Sequence, residues 1–291
     1  LQFYNNTIKY DPNNLEAFYN TGEIHESFER YQMAAKAFRE VIRIDPDHVE
    51  AHAKLGRSYA KLNLPEEALA EFNIALRINP NLAETYYQLG NTYGELKREK
   101  EGLQPLRKAI QLKPGYLKAI YLLGKFNTVL ENYFEAIPSL KSVDKTEPGF
   151  GETDFLLGKS LLKTGQNHDA LPYLQKAVLS NPKFSKAQYF LGQSLINIGR
   201  YKEALEPLKM AVEFQPDLSE GFNFLGETYQ KLGNYAEAIK AYKSAINIYP
   251  DFISAHNNLG TIYTFQKDYV KAINSFKQTI QINPEFQNWF L

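Results

Sequence analysis

Proline and glycine recur along this 291-residue chain with a fixed period of 34 residues. The prolines stand at positions 12, 46, 80, 114, 148, 182, 216, 250 and 284. The glycines stand at positions 22, 56, 90, 124, 158, 192, 226 and 260. A constant period of about 20 to 50 residues is typical of stacked supersecondary units that cannot fold alone. The chain is therefore expected to grow by addition of repeats and not around a single closed core.

The period divides the sequence into eight full repeats when the recurring proline is counted as position 32. Repeats 1 to 8 comprise residues 15–48, 49–82, 83–116, 117–150, 151–184, 185–218, 219–252 and 253–286. Residues 1–14 keep the same frame and are expected to form the second helix of a partial preceding repeat. Residues 287–291 are expected to begin a further helix or to mark the end of the segment.

Each repeat carries two stripes of apolar residues spaced by three and four, which predicts two amphipathic helices, A and B. The turn between them contains glycine in three repeats, at Gly165, Gly199 and Gly233, and glycine can end a helix in the left-handed conformation. The recurring proline ends helix B. Four repeats also have a proline about one turn inside helix B, where we expect a local bend and not a break. These prolines are Pro105, Pro138, Pro172 and Pro207.

Small residues recur where helices A and B face each other. Position 8 is always glycine, and position 20 is alanine in every repeat except repeat 3, which has Gly102. Small side chains let two helices approach closely, while larger residues at positions 4, 7, 11 and 24 are expected to interdigitate around them. One hairpin of this size buries too little apolar surface to fold alone, so neighbouring repeats must complete the core.

These positions resemble the tetratricopeptide repeat, whose period is about 34 residues. Repeat 2 carries Leu55, Gly56, Tyr59, Ala68, Phe72, Ala75 and Pro80, and repeat 8 carries Leu259, Gly260, Tyr263, Ala272, Phe276 and Pro284. The resemblance covers residues 15–286. It implies an all-α fold, an α-solenoid in which antiparallel helix hairpins form a right-handed superhelix. The chain departs from the family at position 4, where a large aromatic residue is usual. Four repeats have a different residue there: His52, Asp154, Gln188 and His256.

Repeat 4 follows the pattern least well. Asn127, Asp144 and Thr146 occupy positions that are apolar in neighbouring repeats, and Gly149 and Gly151 follow closely. Two interpretations stay open. Repeat 4 is either an ordinary but frayed repeat, or residues 144–154 form a hinge between repeats 1–4 and repeats 5–8.

The resemblance implies that helix A lines the concave face of the solenoid, with positions 5, 6 and 9 directed into the groove. In repeats 3–6 these positions carry an aromatic column beside apolar and polar residues. The candidate partner-binding residues are Tyr87, Tyr121, Leu122, Lys125, Phe155, Leu156, Lys159, Tyr189, Phe190 and Gln193. These side chains either pack between successive A helices or stay partly exposed and bind a peptide. Some family members clamp a partner's terminal carboxylate, but the lysine and asparagine set needed for that is not assembled in adjacent repeats here.

The composition excludes several other functions. The 33 basic and 33 acidic residues cancel, and the chain has no cysteine, which excludes disulfides and thiolate catalysis. His48 and His52 are spaced as metal ligands could be, but each is expected to have a structural position instead. No catalytic or phosphate-binding motif is present. We therefore expect no enzyme activity, no cofactor, no metal, no nucleic-acid partner and no insertion into a membrane.

Three functional hypotheses follow from these observations. The first is a non-catalytic scaffold that binds a protein or peptide segment in the concave groove. The second is the recruiting or targeting arm of a larger enzyme or of a secretion or assembly component. The third is a self-assembling scaffold, a homo-oligomer joined through open solenoid ends such as Trp289, Phe290 and Leu291. The compartment stays open: the cytoplasm is preferred, and export after removal of a signal peptide is the alternative.

Overall fold

The computed structural model describes residues 1–284, which form seventeen α-helices and no strand. The helices are α1 (Gln2–Tyr10), α2 (Leu15–Ser27), α3 (Tyr31–Ile44), α4 (Val49–Lys61), α5 (Pro65–Ile78), α6 (Ala83–Glu95), α7 (Glu99–Leu112), α8 (Leu117–Val129), α9 (Tyr133–Thr146), α10 (Thr153–Lys163), α11 (Asn167–Ser180), α12 (Ser185–Asn197), α13 (Tyr201–Phe214), α14 (Ser219–Lys231), α15 (Tyr235–Ile248), α16 (Ile253–Phe265) and α17 (Tyr269–Ile282). The even-numbered helices from α2 onward are the A helices of repeats 1–8, and the odd-numbered helices from α3 onward are their B helices. The expected all-α solenoid is confirmed. The prediction for residues 287–291 lies outside the described part of the chain.

The helices group into two compact units, one comprising Leu1–Phe150 and one that starts at Gly151. Within unit 1 and within unit 2, each helix packs against the next one along the chain. The boundary falls inside residues 144–154, where the sequence pattern is weakest. Gly149 and Gly151 both adopt left-handed backbone conformations there, with φ of 80° and 58°. The hinge itself stays a prediction.

The two helices of each repeat meet at the glycine of position 8 and the large residue of position 24. A Cβ atom added to Gly22 would lie 2.6 Å from the Phe38 ring, and one added to Gly192 would lie 2.5 Å from Leu208 Cγ. Phe38 and Leu208 are completely buried. Glycine is therefore needed at position 8 because the large residue of helix B occupies the space of a side chain.

The turn between helices A and B has the same backbone conformation in every repeat. Position 15 is left-handed in all eight, with φ between 55° and 81°. The residues are Glu29, Asn63, Lys97, Glu131, Gly165, Gly199, Gly233 and Lys267. The next residue donates its backbone N–H to the carbonyl of position 11, as in the 2.9 Å bond from Arg98 to Tyr93. The glycine turns predicted in repeats 5–7 are thus confirmed, and the other five repeats form the same turn without glycine.

Helix B continues past its internal proline in repeats 3–6. Helices α7, α9, α11 and α13 each run for 14 residues with the proline inside. The sequence-based expectation that these prolines do not break the helices is confirmed. The B helices therefore support the A helices along the whole of each unit.

Candidate functional site

Aromatic residues at position 5 of helix A pack against position 34 of the same repeat, the residue just before the next A helix. The ring centroids of Tyr87 and Tyr116 are 5.1 Å apart, and those of Tyr121 and Phe150 are 5.3 Å apart. Equivalent pairs are Tyr19 with His48 and Phe155 with Phe184. Sequence analysis identified position 5 but missed position 34. The signal was present, because position 34 is aromatic in six repeats of the sequence: His48, Tyr116, Phe150, Phe184, Phe252 and Phe286.

The candidate residues of unit 1 lie on helices α6 and α8, which contact each other directly. Tyr87, Tyr121, Leu122 and Lys125 are all partly exposed. Burial and the neighbouring Glu84 carboxylate raise the pKa of Tyr87, so its hydroxyl keeps its proton at neutral pH. We call these four residues the unit 1 aromatic surface.

The candidate residues of unit 2 lie on helices α10 and α12, which also contact each other. Phe155, Leu156 and Phe190 are buried, with 9%, 5% and 9% of their surface exposed, whereas Lys159, Tyr189 and Gln193 are partly exposed. We call these six residues the unit 2 aromatic surface. The two interpretations of the aromatic column thus apply to different members: some rings pack between A helices, and others reach solvent.

Ring contacts join adjacent repeats within unit 2. Phe155 lies 5.9 Å from Phe190 between centroids, and Tyr189 lies 5.0 Å from Phe190 and 5.7 Å from Phe224. Burial raises the pKa of Tyr189 to about 12, so its phenol stays protonated and can donate a hydrogen bond. The result is a continuous set of ring contacts with one polar hydroxyl group, that of Tyr189.

Polar groups at position 9 stand among these rings. Lys159 Nζ lies 5.8 Å from the centre of the Phe190 ring, a cation–π distance. One repeat further along, Gln193 Oε1 is buried and accepts no hydrogen bond within the described part of the protein. One repeat beyond that, burial raises the pKa of Glu227. Unit 2 therefore presents a cation, an amide and a carboxylate in sequence along one face.

A second feature of the A helices, in unit 1, was not anticipated from the sequence. Lys54 Nζ lies 2.8 Å from Glu26 and 3.2 Å from Glu23, and Arg57 Nε lies 3.3 Å from Glu26. Burial alone would lower the pKa of Lys54, but its contacts with Glu26 and Glu23 raise it. Next to this cluster is a pocket of about 180 Å³ around Ala53. The cluster was missed because its members come from two repeats that the linear pattern does not connect.

The histidine pair that could have suggested a metal site has structural contacts instead. His48 caps helix α4 by accepting the Ala51 backbone N–H at 3.2 Å. His52 is buried, with Nδ1 2.6 Å from Glu71 and Nε2 2.9 Å from the Pro46 carbonyl. Across residues 1–284, no three histidine, aspartate or glutamate side chains are grouped as metal ligands would be. Within the same residues, no helix has the length and apolar character needed to cross a membrane.

Family models of the tetratricopeptide repeat match residues 3–49, 28–83, 83–116, 155–219 and 217–285. All of repeat 4, the least regular repeat, lies outside these ranges. No protein with a curated description matches the chain significantly.

Several solved structures are similar to the chain. YrrB, described as a TPR protein with an unusual peptide-binding site, is 30% identical, with 63% of this chain and 95% of that chain covered and a TM-score of 0.56. MamA is 27% identical, with 57% and 97% covered and a TM-score of 0.52. A tetratricopeptide repeat protein from Parabacteroides merdae ATCC 43184 is 13% identical and shows the fold alone, with 85% and 98% covered and a TM-score of 0.55. The repeats and the first two neighbours support a protein-interaction scaffold, and such folds are typically non-catalytic. The earlier resemblance is confirmed, and the chain belongs to the tetratricopeptide repeat family.

Proposed function

We propose that this protein is a non-catalytic scaffold that holds an extended segment of a partner protein against its A helices. The proposed contacts are the unit 1 and unit 2 aromatic surfaces, each acting by itself. Tyrosine suits this role because it offers a large apolar area, loses little conformational entropy and ends in a polar group. A similar protein, YrrB, is described as having a peptide-binding site, which supports the same kind of ligand here.

The observation that carries the proposal is the buried carbonyl oxygen of Gln193 on the unit 2 aromatic surface. A buried acceptor without a donor costs about 1–3 kcal/mol. The Gln193 side chain is partly exposed, so its rotation would present this oxygen to a backbone N–H of an extended peptide lying across Tyr189 and Phe190. The rings would then cover the apolar side chains of the peptide while Gln193 fixes its backbone, a combination typical of peptide grooves.

Partner capture from an extract of the source cells tests this proposal. The bait is the whole chain, compared with Tyr87→Ala, Tyr189→Ala and Gln193→Met variants. Phe155 is avoided because truncating a buried ring destabilises the fold by about 3–5 kcal/mol. Tyr269→Ala is the matched control, because this tyrosine is 60% exposed but lies on helix B of repeat 8.

We expect each tyrosine variant to weaken capture through its own unit, the double variant Tyr87→Ala/Tyr189→Ala to lose the partner, and the Tyr269 variant to keep it. Gln193→Met removes about 1 kcal/mol of hydrogen bonding, or about a five-fold loss of affinity. The same change should raise the stability of the free protein, because the buried acceptor is gone. Undiminished capture by all three surface variants, with melting temperatures like that of the parent protein, would show that the partner binds elsewhere.

A further inference from the structure

The pocket around Ala53 exists because the aromatic pair of positions 5 and 34 is missing from repeat 2. Repeats 1 and 3 have Tyr19 with His48 and Tyr87 with Tyr116 at these positions. Repeat 2 has Ala53 and Leu82 instead. A methyl group therefore stands where its neighbours have a tyrosine ring. The space left is about 180 Å³, and it lies entirely within unit 1.

The walls of this pocket combine apolar, acidic and basic groups. Phe72, only 1% exposed, forms the deep part, and Tyr19 forms a side wall. Glu50 and Glu84 also line the pocket and are both solvent-exposed, so they lie at its mouth. A long side chain entering the pocket would pass between carboxylates and end against aromatic rings, or lie along the rings with its polar end at the mouth.

Charge around the pocket is unbalanced toward the negative. Two cations, Lys54 and Arg57, line the pocket and equal its two lining carboxylates in number. Both cations contact Glu26, and Lys54 also contacts Glu23, so these two further carboxylates produce the negative excess. Glu50 and Glu84 have no lysine or arginine partner among the described residues. The nearest ionisable nitrogen to Glu50 is His48 Nδ1 at 3.5 Å, and Glu84 accepts hydrogen bonds from Tyr116 and Gln88.

The surroundings of Tyr19 show the same sign of field. Burial raises the pKa of its phenol, and the carboxylates of Glu23 and Glu50 raise it further. The combined effect of these two carboxylates on the pKa is larger than the opposite effect of Lys54. An acidic ligand group would meet these carboxylates while the two cations are already engaged by Glu26. A purely apolar side chain would cover Glu50 and Glu84 and remove their water without offering a donor, which is costly.

We propose that the Ala53 pocket binds an arginine side chain of the partner segment. The proposal rests on the function proposed above and adds the chemistry of the partner. The apolar stem of arginine packs on Phe72 and Tyr19, and the planar guanidinium lies against the tyrosine ring and donates to Glu50 and Glu84. Arginine fits better than lysine because its five donors are spread over a plane, while lysine carries a compact charge.

The test uses small probes and the whole ¹⁵N-labelled chain, observed by ¹H–¹⁵N NMR. The probes are N-acetyl-arginine amide, N-acetyl-citrulline amide, which has nearly the same shape without the charge, and N-acetyl-glutamate amide. We expect saturable shifts at the Ala53 and Thr85 amides with the arginine probe. Binding of the citrulline probe should be about ten-fold weaker, and the glutamate probe should cause no shift there.

Variants place the effect in the pocket. Ala53→Tyr restores the ring that repeats 1 and 3 possess and should abolish binding of the arginine probe. Ala236→Tyr, on an exposed alanine of helix α15, is the matched control and should bind as the parent does. If Ala53→Tyr fails to fold, the double variant Glu50→Gln/Glu84→Gln, which changes only exposed side chains, replaces it and should weaken binding by about ten-fold.

Equal shifts with arginine and citrulline probes would overturn the proposal, as would binding of the glutamate probe or undiminished arginine binding by the folded variants. These outcomes are separate from the fate of the proposed function. If the arginine probe fails but Tyr87→Ala and Tyr189→Ala still weaken partner capture, only the pocket assignment falls. If the arginine probe binds the pocket but every surface variant captures the partner as well as the parent protein does, the proposed peptide-scaffold function is wrong instead.

Discussion

Replacing Lys97 with glycine should stabilise the protein, although it removes a side chain and adds no contact. Lys97 occupies position 15 of repeat 3, with φ of 57°. A left-handed conformation costs a non-glycine residue about 1–2 kcal/mol. Glycine removes that cost but loses about 0.5–1 kcal/mol through its greater freedom in the unfolded chain. The expected net gain for Lys97→Gly is about 0.5–1 kcal/mol.

Two other repeats supply matched controls for this change. Asn63 holds the same position in repeat 2, with φ of 58°, but asparagine enters the left-handed region at little cost, so Asn63→Gly should change stability little. Gly165→Ala in repeat 5 is the reverse change. A Cβ atom there would contact nothing within 4 Å, so backbone strain alone should destabilise the variant, by about 0.5–1 kcal/mol.

Amide hydrogen exchange is the appropriate assay, because repeat arrays can open locally and one unfolding curve then averages over the chain. Exchange of the α6–α7 hairpin should slow by about two- to five-fold in Lys97→Gly, the factor that corresponds to the expected gain. Urea unfolding followed by circular dichroism provides the global comparison. Faster exchange in Lys97→Gly, or an equal gain in Asn63→Gly, would refute the argument from backbone strain.

Three further predictions concern other positions. Gly192→Ala should destabilise the protein by about 1 kcal/mol in urea unfolding. Overpacking against Leu208 costs about 1–3 kcal/mol, and the higher helix propensity of alanine offsets about 1 kcal/mol of that cost. Gly115→Ala is the control and should be neutral or stabilising, because a Cβ atom there has no contact within 4 Å. Gly149→Ala should increase exchange of the preceding helix, α9, because φ is 80° at that glycine, and exchange equal to that of Gly115→Ala would contradict this. Burial raises the pKa of Glu227 in the folded protein above the ordinary glutamate value of 4.5. The protonated carboxyl group therefore stabilises the fold below pH 4.5, and this contribution is lost as the pH rises through the folded pKa. Glu227→Gln should melt at a higher temperature than the parent protein at neutral pH, and the difference in melting temperature should shrink in acid.

Much of the fold could be predicted from the sequence because the repeat supplies the same evidence eight times. The glycines of position 8 predicted a close approach of helices A and B, and the contact of Gly192 with Leu208 shows what they make room for. Glycine also predicted the turns between helices A and B in repeats 5–7. The equivalent turns at Glu29 and Lys97 could not be predicted from residue type, because the packing of two helices imposes a left-handed conformation that these residues do not favour.

The candidate site was harder to predict because it depends on contacts between segments far apart in the sequence. Tyr189 and Phe190 are neighbours with the same aromatic character, yet one is partly exposed and the other is buried against Phe155 and Lys159. Helix periodicity places both on the same broad face and does not separate them. The pocket at Ala53 could not be predicted from the positions of large side chains, because it forms where repeat 2 lacks the tyrosine of repeats 1 and 3.

The pairing of positions 5 and 34 determines which ring contacts are duplicated or lost together with a single repeat. Tyr87 and Tyr116 belong to the same repeat, so duplication or loss of that 34-residue block adds or removes a finished pair of rings. In unit 2, the contact of Tyr189 with Phe224 crosses from repeat 6 to repeat 7. A recombination event between those two repeats would separate Tyr189 from Phe224, while Tyr189 would keep its contact with Phe190. The Tyr87–Tyr116 pair is therefore inherited with repeat 3 alone, whereas the Tyr189–Phe224 contact is inherited only when repeats 6 and 7 stay together.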